Sequence, residues 1–401
     1  MAISDHYGKE KQRFLENCVQ CGICAKVCPI LPHTDMRDIS SQDIQEGVFN
    51  FMDTGTPNQD AYTKAFACME CFKCTANICP EDLNPMLVNE LIKGEYISRG
   101  LAEKAYGDQQ QPNSVHRILA SVQVSASDYL KITKPSNKKH ARYVFFPGCN
   151  VYFQPEAVVL WCPTCQCRFD KSIAPALDVP FRVLSFPQYL AANMNKLTLS
   201  DAVAGIVTLH EPCKSAYTGL DRDGPREVLR QLPGVTLREM KYHGRETVCC
   251  GSGAICWFPH SCAQIRKERL RDAAQTGAER LVTVCHYCNQ TFAAEEAHYD
   301  FSVTNYVNLV AEAMGIRRED KFKKYILWGS PERILKDADE HISESSFESE
   351  RIIEVLRAVF MHPPFESLHY NKNPLILLII TSFILTILKI INKQDLTSCV
   401  A

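Results

Sequence analysis

Eight cysteines in two evenly spaced runs constrain this chain more than any other feature. The first run is Cys18-x2-Cys21-x2-Cys24-x3-Cys28-Pro29. The second is Cys68-x2-Cys71-x2-Cys74-x4-Cys79-Pro80, one residue longer before its last cysteine. Three closely spaced thiolates wrap one corner of an iron–sulfur cubane, and in two-cluster proteins the fourth ligand is exchanged between the runs. The spacing therefore predicts two [4Fe–4S] cubanes. One takes Cys18, Cys21, Cys24 and Cys79, the other Cys68, Cys71, Cys74 and Cys28. The proline after each last cysteine turns the chain away and removes an N–H donor.

The cysteine total fits this reading. The 401 residues include 20 cysteines, a count that would suggest disulfides in a secreted chain. The N-terminus, however, lacks the apolar core of a signal peptide, so a reducing compartment and metal ligation are expected. The expected location is cytoplasmic, or attached to the cytoplasmic face of a membrane. Lys+Arg is 44 and Asp+Glu is 46, a balance that does not call for nucleic acid.

Between and after the runs, apolar residues recur at helical spacing over Asp38–Phe51, Asp60–Ala67 and Pro85–Arg99, which favours a helical ferredoxin domain over a compact β-type one. Glu81-Asp82 and Asn84-Pro85 read as helix starts, with Gly94 and Gly100 as weak breaks. Polar, turn-rich loops at 107–114 and 134–140 enclose one expected helix, Val115–Leu130.

From Ala141 onward, short β-rich apolar runs end in cysteine. Tyr143–Phe146 leads to Cys149, Val158–Trp161 to Cys162, Ile206–Leu209 to Cys213, and Leu281–Val284 to Cys285. Such runs read as buried parallel strands, and ligands collect at the carboxyl ends of parallel strands. The segments repeat: Cys162-Pro-Thr-Cys165 aligns with Cys285-His-Tyr-Cys288 at an offset of 123, whereas Cys149 aligns with Cys213 at an offset of 64. The first half thus lacks 59 residues, the stretch in which the second half carries Glu246-Thr-Val-Cys249-Cys250-Gly251. Adjacent cysteines cannot close an ordinary disulfide with each other, but two thiolates on one turn suit neighbouring irons. With Cys213, Cys285 and Cys288 they give five thiols, more than a zinc site needs. In the first half, a five-ligand site cannot form unless Cys167 or a thiol from elsewhere substitutes. Cys149, Cys162 and Cys165 are therefore the weaker metal-ligand candidates, and a second cluster of this kind is in doubt.

On these residues the chain resembles the heterodisulfide reductase family of iron–sulfur proteins. It is similar to the fused type, a two-cluster ferredoxin domain followed by two cysteine-rich CCG domains, over roughly residues 10–315. The iron–sulfur subunits of anaerobic glycerol-3-phosphate dehydrogenase, glycolate oxidase and thiol-dependent fumarate reductase share that layout. The resemblance implies a noncubane [4Fe–4S] cluster on Cys213, Cys249, Cys250, Cys285 and Cys288, with Cys249 and Cys250 at the seat of chemistry. It also implies a partner, either a flavoprotein or an iron–sulfur redox subunit, with a membrane cytochrome or quinone as a further candidate. The family's disulfide-reducing members use two such clusters, one on each half of the substrate; the shortened first half departs from that pattern.

Several neighbours of these cysteines have bland readings. His210 reads as a histidine packed at a strand end and Glu211 as a capping or surface residue. His286 reads as an outer neighbour of the cysteines, and Cys256 and Cys262 as buried free thiols. Lys214 and Arg245 pair with an anionic substrate or offset cluster charge. Cys399 is expected to ligate nothing. The tail holds an uncharged run, Leu375–Leu388, which counted to Ile391 gives 17 residues with Lys389 inside, against about 20 needed to span a bilayer. It reads equally as a tail anchor or a helix docking on a membrane partner and as a hydrophobic end buried against the protein.

The expected fold is α+β and multidomain: a helical two-cluster ferredoxin domain followed by a repeated α/β cysteine-rich domain whose first copy is incomplete. The expected boundaries are a ferredoxin domain at 1–100, a helical linker at 101–141 and a truncated first CCG domain at 142–200. A complete second CCG domain at 201–315, a charged helical extension at 316–371 and a hydrophobic tail at 372–401 follow. The expected function is that of an oxidoreductase iron–sulfur subunit with heterodisulfide reductase-like thiol/disulfide chemistry. The alternatives are a non-catalytic electron relay for a flavoprotein dehydrogenase and a structural zinc scaffold.

Overall fold

The computed structural model describes residues 3–76, 78–102, 118–119, 121–127, 129, 144–146, 157–160, 162–174, 182–255, 257–317 and 319–360. The first hundred residues are helical: α1 (Ile3–Asn17), α2 (Ile23–Lys26), α3 (Ser41–Thr54), α4 (Gln59–Phe66) and α5 (Pro85–Ser98). Polar caps start three of them. Ser40 accepts from the Asp43 N–H, Asn58 from that of Ala61 and Asn84 from that of Leu87, with Pro85 in the first turn. Glu81 and Asp82 start no helix. The Asp82 N–H closes a turn on the Cys79 carbonyl, and Asp82 is left-handed at φ 49°. The helices bury their apolar faces against one another, with Phe51 stacked on Tyr96 at 4.7 Å and Tyr96 Oη donating to the Asn58 carbonyl.

Two parallel sheets follow. The first runs β1 (Val144–Phe146), β2 (Ala157–Leu160), β3 (Arg182–Ser185), in that order, with Val158 opposite both Val144 and Val183. Helices α6 (Pro163–Arg168) and α7 (Phe186–Ala191) follow β2 and β3. The second sheet contains β4 (Gly205–His210), β5 (Val235–Leu237), β6 (Arg280–Thr283) and β7 (Ser302–Asn305) in the order β5-β4-β6-β7. Its connections carry α8 (Cys213–Thr218), α9 (Gly224–Arg230), α10 (Pro259–Gln275) and α11 (His286–Ala293), and α12 (Tyr306–Ala313) follows β7. Ten residues separate β1 from β2, against 69 between β4 and β6. The difference, 59 residues, equals the difference between the two cysteine offsets, and the longer connection includes β5.

The front helices and the second sheet share one core. Ile30, Ala67 and Met69 pack with Cys249, Cys250, Cys262 and Phe292. Trp257 meets the edge of Phe66 at 5.5 Å, and Ser261 Oγ donates to the His33 carbonyl at 2.5 Å. Burial of this kind is worth roughly 25 cal/mol per Å² of apolar surface. The C-terminal helices α13 (Lys321–Trp328), α14 (Pro331–Asp337), α15 (Asp339–Ser343) and α16 (Ser349–Phe360) enclose Ile118 and Val122 against Tyr325, Ile334, Ile352 and Leu356. Among the described residues no helix is long and apolar enough to cross a membrane. The run at 375–388 and Cys149, Cys256 and Cys399 lie outside the described residues, as do six of the sixteen residues of the expected 115–130 helix; the described part is not one helix, because a turn at 122–125 interrupts it.

Candidate iron–sulfur centres

The two cysteine runs adopt the same backbone. In the first, Gln20 (φ 52°) and Gly22 (φ 73°) flank Cys21; in the second, Glu70 (φ 54°) and Phe72 (φ 64°) flank Cys71. Left-handed residues at such positions turn successive N–H groups inward and form an anion-binding nest. The Glu70 N–H points at Cys68 Sγ, 3.4 Å away. A side chain as large as Phe72 at positive φ costs energy that the surrounding structure must offset. Phe72 is fully buried against Cys68, Met86 and Cys167. At the matching place in the first run only glycine fits, since a Cβ on Gly22 would stand 2.4 Å from the Ser41 carbonyl oxygen.

Each run contributes to two cavities. One is lined by Cys18, Cys21, Cys24 and Cys79 with Gln45. The other is lined by Cys28, Cys68, Cys71 and Cys74 with Cys24, Lys64 and Asn89. The last cysteine of each run thus reaches the cavity of the other run. Gln45 bridges two thiols: Cys24 Sγ donates to Oε1 at 2.9 Å, and Nε2 points at Cys18 Sγ at 3.6 Å. Burial pushes the thiols of Cys28, Cys71 and Cys74 up. Half-buried and buried sulfurs with no disulfide among the described residues fit a cationic iron core, which would supply compensating positive charge.

The third group gathers at the carboxyl edge of the second sheet. Cys213 opens α8 just beyond β4, Cys285 caps α11 just beyond β6, and Cys249 and Cys250 come from the loop before α10. Gly251 makes the turn at φ 71°, where a Cβ would collide with the Cys262 carbonyl oxygen. Cys249 Sγ donates to Cys213 Sγ at 4.0 Å, and Cys288 Sγ to Cys250 Sγ at 3.3 Å. Hydrogen bonding from Cys249 holds the Cys213 thiol down, and bonding from Cys249 and Cys288 does the same to Cys250. Cys249 and Cys288, which give those bonds, are pushed well up. The group therefore holds shared protons that a metal would displace. Ser252 Oγ at 3.2 Å from Cys250 and the Gly251 N–H at 3.5 Å from Cys249 supply further polar contacts. This soft, buried, multi-thiol donor set suits iron–sulfur ligation.

His210 is drawn into this group. It packs edge-on to Phe292 at 4.7 Å, as expected of a strand-end histidine, but a ring nitrogen also lies within 4.8 Å of Cys250 and Cys288 Sγ. Arg269 Nε donates to His210 Nδ1 at 3.0 Å. A neutral ring accepting at Nδ1 carries its proton on Nε2, and burial keeps the ring neutral. Glu211 is a correction: it is buried, accepting from Arg226 Nη1 at 2.7 Å and the Gly244 N–H at 2.6 Å. Arg226 explains this, because a guanidinium buried beside it requires an anionic partner. Lys214 is buried and donates to the Met69 carbonyl at 3.4 Å, whereas Arg245 is exposed. Cys262 is fully buried.

In the first half, Cys165 hydrogen-bonds Cys162 and holds its thiol down at about 5, against burial and aided by His286. Cys167 stands against Cys68 and Phe72, and burial pushes it up to about 12. The next residue, Arg168, was not singled out by its position in the sequence. It is 1% exposed, reaching Glu70 within the second run at 2.6 Å and also Glu90 on α5. Its guanidinium lies 5.7 Å over the Phe72 ring.

Comparison with known proteins gives two family matches: a 4Fe-4S dicluster domain over residues 14–83 and a cysteine-rich CCG domain over residues 207–293. The dicluster match indicates two [4Fe–4S] clusters, and the CCG match a further iron–sulfur cluster. A subunit of the dihydromethanophenazine:CoB–CoM heterodisulfide reductase of Methanosarcina barkeri is 23% identical over 75% of this chain and 94% of that protein. Its counterpart from Methanosarcina mazei is 30% identical over 35% of this chain and 36% of that protein. A subunit of the fumarate reductase (CoM/CoB) of Methanothermobacter marburgensis is 21% identical over 68% of this chain and 66% of that protein.

Proposed function

We propose that this chain, homologous to those heterodisulfide reductase and fumarate reductase subunits, is the iron–sulfur subunit of a multi-subunit oxidoreductase that carries out thiol/disulfide redox chemistry at its CCG site. The cubane ligands are Cys18, Cys21, Cys24 and Cys79 in one cavity and Cys28, Cys68, Cys71 and Cys74 in the other. Cys213, Cys249, Cys250, Cys285 and Cys288 hold the third cluster, and residues 142–200 are an incomplete copy of the 201–315 domain. Bound at these places, iron–sulfur clusters carry single electrons.

The observation that carries the reading is the seam between the second cysteine run and the Cys-Cys-Gly loop. Gly253 of that loop lies against Met69, the residue after Cys68, and Lys214 beside Cys213 donates to the same Met69 carbonyl. Cys71 and Cys213 are near enough that Cys213 raises the Cys71 thiol. The protein thus juxtaposes the second cavity and the CCG thiols across a packed boundary, which suits transfer between them.

At the CCG end, reducing a disulfide to two thiols consumes two electrons and two protons. Arg269 orients His210 so that Nε2 holds a proton beside Cys250. The partner that exchanges electrons at the other end is a flavoprotein or iron–sulfur redox subunit, with a membrane cytochrome or quinone beyond it. The test is EPR of the anaerobically purified, oxidised protein before and after adding a thiol. A thiol-dependent signal that vanishes in Cys249→Ser, with the dicluster signals kept, is the expected result. A signal indifferent to thiol leaves an electron relay without thiol chemistry.

A further inference from the structure

A buried lysine stands at the second of the two thiol-lined cavities. Lys64, on α4, is 3% exposed and lines the second cavity with Cys28, Cys68 and Cys74. Cys24, which lines both cavities, is another of its neighbours. Its hydrogen-bond partner is neutral, the Asn89 Oδ1 at 3.3 Å, and among the described residues no carboxylate pairs with it. An ammonium buried without an anion costs several kcal/mol. Among the described residues that share its lining, the groups that can carry negative charge are the thiols of Cys24, Cys28, Cys68, Cys71 and Cys74. The anionic counterpart of Lys64 is thus divided between the two ligand sets. A fixed positive charge in a low-dielectric site favours whichever redox state carries more negative charge, and a reduced cluster carries one more than its oxidised form.

We propose that Lys64 is a shared counter-charge that raises the reduction potentials of both dicluster sites together. It is a tuning residue, not a ligand. The inference rests on the reading that these cavities hold clusters, and the experiment separates the two. The full chain, purified without oxygen, is assayed for iron and sulfide and titrated potentiometrically by EPR, alongside Lys64→Met and Lys64→Arg. With iron and sulfide unchanged, Lys64→Met should move both signals to more negative potential. At the original midpoints the oxidised-to-reduced ratio should rise about tenfold, equivalent to about 59 mV for a one-electron couple. Lys64→Arg should restore both. Unmoved potentials, or movement of one signal alone, overturn the proposal. If Lys64→Met loads less iron, Asn89→Asp keeps the lysine but pairs it locally and should shift both signals the same way; unshifted signals there overturn it too. An unsubstituted chain without iron or sulfide would overturn the cluster reading itself, and this proposal with it.

Discussion

Gly253 approaches Met69 so closely that a Cβ on the glycine would stand 2.9 Å from both the Cα and the carbonyl oxygen of Met69. Both contacts are with backbone, which cannot swing aside as a side-chain tip can. Gly253→Val should therefore push the Cys-Cys-Gly loop off the second cysteine run, at a cost of about 1–3 kcal/mol. Thermal unfolding measures that loss. Freeze-quenched EPR should show slower passage of electrons from the dicluster sites to the CCG site, with the dicluster spectra themselves unchanged.

The exchange of last cysteines between the runs has a spectroscopic signature. Cys79 lines the cavity of the first run and Cys28 that of the second. Cys79→Ser should alter the same EPR signal as Cys18→Ser, and Cys28→Ser the same signal as Cys68→Ser. If Cys79→Ser instead groups with Cys68→Ser, the allotment is wrong.

Arg168 ties the shortened half to the second run. Lys93 assists it, lying 3.7 Å from Glu70 and donating to the Cys68 carbonyl at 3.3 Å. Burial would raise the Glu70 carboxyl, but Arg168, Lys93 and Lys214 hold it at about 2. Arg168→Leu leaves Glu70 and Glu90 buried with far less compensation, a change that typically costs about 3–5 kcal/mol. Urea unfolding should show that loss, and limited proteolysis should cut within 162–174 first. An unchanged midpoint would remove Arg168 as the tie.

Asp221 gives a pH dependence. Burial lifts its carboxyl from 3.8 to about 6, although Ser185 and the Gly224 N–H oppose the shift. A folded-state pKa above the unfolded one contributes stability below about 3.8 that is lost as pH rises through about 6. Asp221→Asn removes the ionised form. It should leave stability unchanged below that window and raise it progressively through it, levelling above pH 6 at no more than about 3 kcal/mol. Denaturation of the two proteins at pH 5 and pH 8 measures this; an equal gain at both would contradict it.

The spacing of the cysteines made much of the site legible, because ligand chemistry fixes spacing locally. The Asn84-Pro85 helix start and the parallel strands that lead to Cys162, Cys213 and Cys285 were readable for the same local reason. The roles that depended on distant partners were not. Arg168 is ordinary in sequence and acquires its role only when Glu70 and Glu90 surround it. His210 was legible as a packed strand-end residue, but its second face toward Cys250 needed Arg269, 59 residues away. Lys64 sits on a short amphipathic helix, where a lysine usually reads as solvated; its burial arises from two cysteine runs folding over it. Glu81-Asp82 had the composition of a helix start, but Cys79 had already committed that stretch to a turn.

The central claim is that these thiols anchor iron–sulfide cores, and metal and sulfide analysis of the anaerobically purified chain from iron-replete cells tests it most directly. Three four-iron sites call for about twelve irons and about twelve acid-labile sulfides per chain, falling to about eight of each in Cys249→Ser. Stoichiometric zinc without labile sulfide would contradict the account.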